Sequence, residues 1–142
     1  VIQALSDPQK SKCWMRNVSN AYLVDKPTNN TWYSYTLFSL PWPFDNKDMV
    51  TMSKILFKEN AQGATIEIQS KENVVPQKNN VQRLKNYKAT WDITVKGNGL
   101  IAISFTAISL SPPEYPRFIQ DPIIKRTFSQ NLLNLMEMLS RQ

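Results

Sequence analysis

An α+β fold, with an antiparallel sheet covered by a long C-terminal helix, is what this chain predicts, and three observations carry that reading. Ala64-Thr65-Ile66-Glu67-Ile68-Gln69 alternates apolar and polar residues at period two, the pattern of a strand with one buried and one wet face. Gly97-Asn98-Gly99 separates two strand-like segments and favours a tight hairpin, since glycine and asparagine accept positive φ. Near the end, Ile124, Phe128, Leu132, Leu135, Met136 and Leu139 recur at helical spacings, giving one apolar face. A sheet with one wet face must bury the other, and the terminal helix is the available cover. Periodicity leaves open whether the sheet lies flat under that helix or curls around it.

The elements follow in order. Val1 to Ser6 reads as the end of a helix, stopped by Asp7-Pro8, and Trp14-Met15 lies in a short loop or helical turn. Val18 to Asp25 reads as a strand, Lys26 to Asn30 as a hairpin loop, and Thr31 to Ser39, rich in Trp, Tyr, Thr and Phe, as the returning strand. Pro41 and Pro43 then fix φ and remove backbone donors, which excludes regular helix or central strand. Met49 to Phe57 is a further strand, 60–63 a turn and 73–80 a loop. Val81 to Val95 reads as one long strand with Ala89, Trp91, Ile93 and Val95 on one side, and Leu100 to Leu110 pairs back onto it. Ser111-Pro112-Pro113-Glu114 fits a capping box with proline at the first helical position. A helical turn over 115–120, a break or kink at Pro122 after Asp121, and a long amphipathic helix to Ser140 complete the reading.

Composition excludes much chemistry. The 142 residues suit one domain with a modest core. There is no histidine and one cysteine, so no Ser-His or Cys-His pair, no imidazole or multi-thiolate zinc site and no intrachain disulfide can form. Lone Cys13 reads as a small apolar residue. No metal, cofactor or catalytic residue is expected. The net charge of +6 comes from scattered Lys and Arg, a soluble basic surface with weak attraction to anionic membranes rather than a nucleic-acid arm. The most apolar run, Gly99 to Leu110, is interrupted by Ser104, Thr106 and Ser109 and is too short to span a bilayer. The sequons at Asn17 and Asn29 are expected by chance in an Asn-rich chain. Val1 opens in mid-pattern without an initiator Met, so upstream sequence is expected.

The most specific segment is Leu40-Pro41-Trp42-Pro43-Phe44-Asp45-Asn46-Lys47-Asp48-Met49-Val50. It resembles the "Pro-Trp-Pro, then Asn-Arg-Asp-Phe-Val" signature of START domains (steroidogenic acute regulatory protein-related lipid transfer domains), with Lys47 for the usual Arg and Met49 for the usual Phe. Val1 to Asp7 with Trp14-Met15, Val81-Gln82-Arg83 with Trp91 eight residues after the Arg, and Tyr115 to Ile119 resemble further segments of that family. The resemblance implies a helix-grip fold: a curved antiparallel sheet wrapped around the C-terminal helix, enclosing an apolar tunnel. It implies a single lipid-binding domain over 1–142 that lacks its N-terminal helix and first strands, which would leave an unpaired sheet edge. Two departures stand out. Ser109-Leu110-Ser111-Pro112-Pro113 replaces the family's frequent Asp-Pro-Gly-Gly, and Ser53 stands where some sterol-binding members have a basic residue, so sterol specificity is not carried over.

The implied function is a carrier or sensor that shields a lipid or other hydrophobic ligand, with transient membrane contact and no nucleic-acid partner. Trp91, Ile101, Ile103, Phe105, Phe128, Leu132 and Met136 are the expected tunnel wall; composition alone fits ordinary core equally well. Arg83 meets a lipid head group or carboxylate, or sits at a strand end with its head in water. Trp42 and Phe44 form the entrance loop, touching membranes during lid opening or packing the turn against the helix. Asp45 and Asp48 read as turn-capping and locally paired rather than as an acid–base pair. The competing enzymatic reading is an aromatase/cyclase-type helix-grip protein using Arg83, Tyr33, Tyr35 or Tyr87 as donors. A third is an interaction module whose tunnel has collapsed.

Overall fold

The computed structural model describes residues 1–42, 44–110 and 117–141, the side chains of residues 117 and 118 excepted. The expected capping box over 111–114, and Pro43, lie outside these. Two short helices, α1 (Ile2–Ser6) and α2 (Pro8–Trp14), precede β1 (Val18–Thr28), β2 (Thr31–Phe38), β3 (Lys47–Phe57) and β4 (Gly63–Ser70). The two-residue β5 (Gln82–Arg83), then β6 (Tyr87–Val95), β7 (Ile101–Ser109) and α3 (Arg117–Ser140) follow. The strands form one curved sheet in the order β1-β2-β3-β4-β6-β7, antiparallel except where β5 pairs parallel with the start of β3. No described helix is long and apolar enough to cross a membrane.

Local chemistry explains most boundaries. Asp7 does not only stop α1; its carboxylate accepts from the Gln9 N–H and caps α2, with Pro8 in the first turn. Trp14 therefore ends a seven-residue helix, which selects the helical of the two expected alternatives. The β1–β2 turn is tighter than expected, since Lys26 and Pro27 belong to β1 and Thr28 pairs with Thr31. Gly63 has φ +134, and a Cβ there would fall 1.9 Å from the Ile93 carbonyl oxygen, so glycine is what lets β4 start this close to β6. The β6–β7 hairpin turns through Asn98 and Gly99, both at positive φ, and closes with Lys96 N–H donating to Leu100 O at 2.8 Å.

Two expectations are corrected. Val81 to Val95 is not one strand. Gln82 N–H bonds to Asn46 O just before β3 and Leu84 N–H to Asp48 O on β3, Asn86 reverses the chain at φ 56, and only then does β6 begin. The helix is not broken at Pro122: α3 is continuous, and Pro122 removes one ladder bond in its second turn. Asp121 thus lies inside α3 rather than starting a helix.

Register sorts the side chains. The rows Ile55–Ile66–Trp91–Phe105 and Trp32–Ser53–Ile68–Ala89–Ala107 run across the inner face. Trp32, Ile55, Ile66, Trp91 and Ile93 there form the core with Trp14 of α2 and Leu135 of α3. Asn131 Oδ1 accepts from Arg16 N–H at 2.7 Å and Asn134 Nδ2 donates to Trp14 O at 3.0 Å, so α3 satisfies backbone groups at the end of α2. The opposite face is also covered in part: Tyr35 and Val50 are fully buried there, although a half-wet sheet was expected.

Candidate functional site

The C-terminal half of α3 packs on the sheet through Leu135, which is 1% exposed, whereas its N-terminal half borders open space. A cleft of about 1070 Å³ lies there. Leu40, Pro41 and Phe44 of the loop before β3 form one side, Ile123, Ile124 and Phe128 of α3 another, and Val81 to Asn86 a third. A second cavity, of about 130 Å³, lies deeper, beneath α2 and α3 and over β2, β3 and β6. Phe128 borders both, its ring 5.8 Å from that of Phe105.

The structure distributes the sequence-predicted residues unevenly. Trp91, Phe105, Phe128 and Leu132 line the inner cavity. Ile103 packs against the core. Ile101 and Met136 are 48% and 63% exposed and line neither cavity, because Ile101 sits at the far end of an outermost strand and Met136 lies beyond the buried line of α3. Phe44 faces the large cleft, whereas Trp42 is 92% exposed and is not packed against the helix.

Arg83 borders the large cleft but has no donor left for a head group, and its guanidinium does not reach water. Its side chain is 1% exposed, and all five N–H groups have protein acceptors. Nε and one Nη donate to Asp48 at 2.7 and 3.3 Å, and the others to the carbonyls of Glu72, Val75 and Pro76. Asp48 also accepts from the Tyr35 hydroxyl at 2.9 Å, so it is neither locally paired nor a member of an acid–base couple with Asp45. The arrangement is a buried lock that ties the loop after β4 to β3.

Burial, helped by the hydrogen bond and charge of Asp48, pushes the Tyr35 phenol above its ordinary range, and burial alone pushes Tyr87 up to about 12. Both folded values lie above the unfolded 10.0. Their contribution to stability is therefore whole below pH 10 and lost as pH rises through the folded values. Stability measured by urea unfolding is expected to fall from pH 10 towards about 12, and Tyr87→Phe to flatten that decline.

Sequence reasoning missed a set of hydroxyls on the inner face: Ser34, Thr36 and Thr51 border the small cavity, as do Ser53 and Tyr87. The alternation Trp32-Ser34-Thr36-Phe38 was the available signal, because it puts the hydroxyls on the face of Trp32.

The curved sheet, the helix across it and the space between them define a START-like helix-grip fold. Among solved structures, the STAR-related lipid transfer protein of Xanthomonas axonopodis (fragment 25–204) matches 99% of this chain and 77% of its own, with TM-score 0.84 and 21% identity. Human STARD10 matches 99% of this chain and 60% of its own at TM-score 0.72 and 19% identity. The human StarD13 (DLC2) lipid transfer and protein localization domain matches 79% of this chain and 57% of its own at TM-score 0.63 and 12% identity. The chain thus spans less than two thirds of the two human structures. No sequence-family profile and no curated protein matches it.

Proposed function

We propose that this chain, as a single START-like domain, encloses one lipid or other hydrophobic molecule between its sheet and C-terminal helix, as a noncatalytic carrier or sensor. The observation that carries this reading is the cleft of about 1070 Å³ under the N-terminal half of α3, in a fold shared with the STAR-related lipid transfer protein of Xanthomonas axonopodis and the StarD13 lipid transfer domain. Removing a few hundred Å² of apolar ligand surface from water supplies on the order of 5–10 kcal/mol before the costs of binding. Ligand exchange then needs movement of α3 and the loop at Pro41.

The cyclase reading is not favoured, because its donors do not converge. Arg83 is consumed by Asp48 and loop carbonyls, the Tyr35 hydroxyl is given to Asp48, and of the four named residues only Tyr87 borders the inner cavity. A collapsed tunnel is disfavoured by the volume of the cleft.

Delipidated protein is expected to bind and protect a fluorescent fatty acid, phospholipid or sterol analogue at one per chain; absence of binding across that panel overturns the proposal. Membrane contact belongs to the same proposal and rests on Trp42, exposed on the loop beside the cleft. Trp42→Ala is expected to weaken binding to anionic vesicles while changing stability by less than about 0.5 kcal/mol, as read by vesicle sedimentation and urea unfolding.

A further inference from the structure

The inner cavity differs from an apolar core in the groups it leaves unpaired. Ser53 is 4% exposed, borders the cavity, and its hydroxyl has no partner among the described residues. The Trp14 indole lines the same wall, its Nε1–H buried away from the cavity and without an acceptor. Asn131, 7% exposed, spends its Oδ1 on the Arg16 N–H, and its Nδ2 has no described acceptor. The hydroxyls of Thr36 and Tyr87, also on the cavity wall, have no described partner. Ser34 and Thr51, by contrast, satisfy each other at 3.0 Å. Buried residues normally have their polar groups paired, so the free Ser53 hydroxyl and Asn131 amide N–H on one wall point to an occupant that pairs with them.

The charges restrict that occupant. Among the described residues no Lys or Arg side chain borders the inner cavity, and the one carboxylate there, Asp7, already accepts from the Gln9 N–H. A phosphate or carboxylate placed there would be a buried charge with no counter-charge, which is costly. A hydroxyl both donates and accepts, and a carbonyl accepts from the Ser53 hydroxyl or the Asn131 amide. The volume of about 130 Å³ equals that of about four waters at roughly 30 Å³ each, enough for a small head and too little for an acyl chain.

We propose that the inner cavity receives the uncharged hydroxyl- or carbonyl-bearing end of the ligand, with Ser53 and Asn131 as its hydrogen-bonding partners, so that the protein selects neutral lipids over those with phosphate or carboxylate heads. The ligand's hydrocarbon then runs past Phe128 into the large cleft. This rests on the lipid-binding reading above.

Displacement of a neutral polyene reporter from the delipidated protein tests it, with ligands of equal chain length: hexadecanol and monopalmitoylglycerol against palmitate and palmitoyl lysophosphatidylcholine. The neutral pair is expected to bind at least about tenfold more tightly, and Ser53→Ala to weaken the neutral pair by about five- to tenfold, one hydrogen bond's worth, while leaving the charged pair unchanged. Charged ligands binding as tightly as neutral ones, or Ser53→Ala affecting all four alike or none, overturns the assignment and leaves lipid binding standing. Binding of none of the four, nor of the reporter, overturns lipid binding itself and this assignment with it. Should Ser53→Ala fail to fold, Ser53→Cys, which keeps the side chain's shape but donates only weakly, applies the same comparison.

Discussion

Asp48→Ala is expected to destabilise the protein by about 3–5 kcal/mol, because it leaves the Arg83 guanidinium buried without its counter-charge. The carboxylate accepts from Arg83 at 2.7 and 3.3 Å and from Tyr35 at 2.9 Å, and both ionic side chains are 1% exposed. Water is therefore not at hand to replace what the substitution removes. Tyr35→Phe, which removes a single neutral donor, is expected to cost about 1 kcal/mol or somewhat more. Replacing both ions by apolar residues of similar volume, Asp48→Leu with Arg83→Met, is expected to cost much less than either change alone. Urea unfolding of the singles and the double forms a cycle that reads the coupling. A single-variant loss below about 1 kcal/mol would place the pair with surface ion pairs and refute the account of it as a buried lock. Arg83→Met should also release the loop at Glu72 to Pro76, whose carbonyls it holds, and the readout is faster amide exchange there.

Trp91→Ala is expected to cost about 3–5 kcal/mol. Trp91 lies at the middle of the inner face, 6% exposed, with its ring 6.0 Å from Trp14 in an edge-on arrangement and 4.5 Å from Phe105. Removing it joins the small cavity to the void left by the indole and takes from α2 the surface it rests on. Phe128→Ala is the informative contrast. Phe128 is 38% exposed and contacts Phe105 from α3, so its loss should cost less stability while weakening ligand retention, since it borders both cavities. Unfolding curves and lipid displacement on the two variants separate a core role from a lining role. Equal stability losses would contradict the packing described.

Much of this architecture is readable from local pattern. The alternation at 64–69, the aromatic strand at 31–38 and the Gly97-Asn98-Gly99 hairpin each encode their element within a few residues. The helix stripe from Phe128 to Leu139 is readable for the same reason. Arg83 was not readable: its partner Asp48 is 35 residues away, and the break that makes β5 depends on hydrogen bonds to β3. Nor was the fate of Ile101 and Met136, whose apolar character fits a wall but whose positions fall outside it.

Sequence by itself determined most of the strands, the long terminal helix, the inner apolar face of the sheet and, through the absence of histidine, which chemistries these 142 residues cannot perform. Those properties follow from φ/ψ preference and side-chain period, which act over a few residues. Only the tertiary structure decided that α3 rests on the sheet at Leu135 and stands over a cleft at Ile123, that Arg83 is a tie rather than a ligand group, and that Ser53 faces a cavity. Burial and pairing depend on what the chain brings together across a bent sheet, and no local pattern contains that distance.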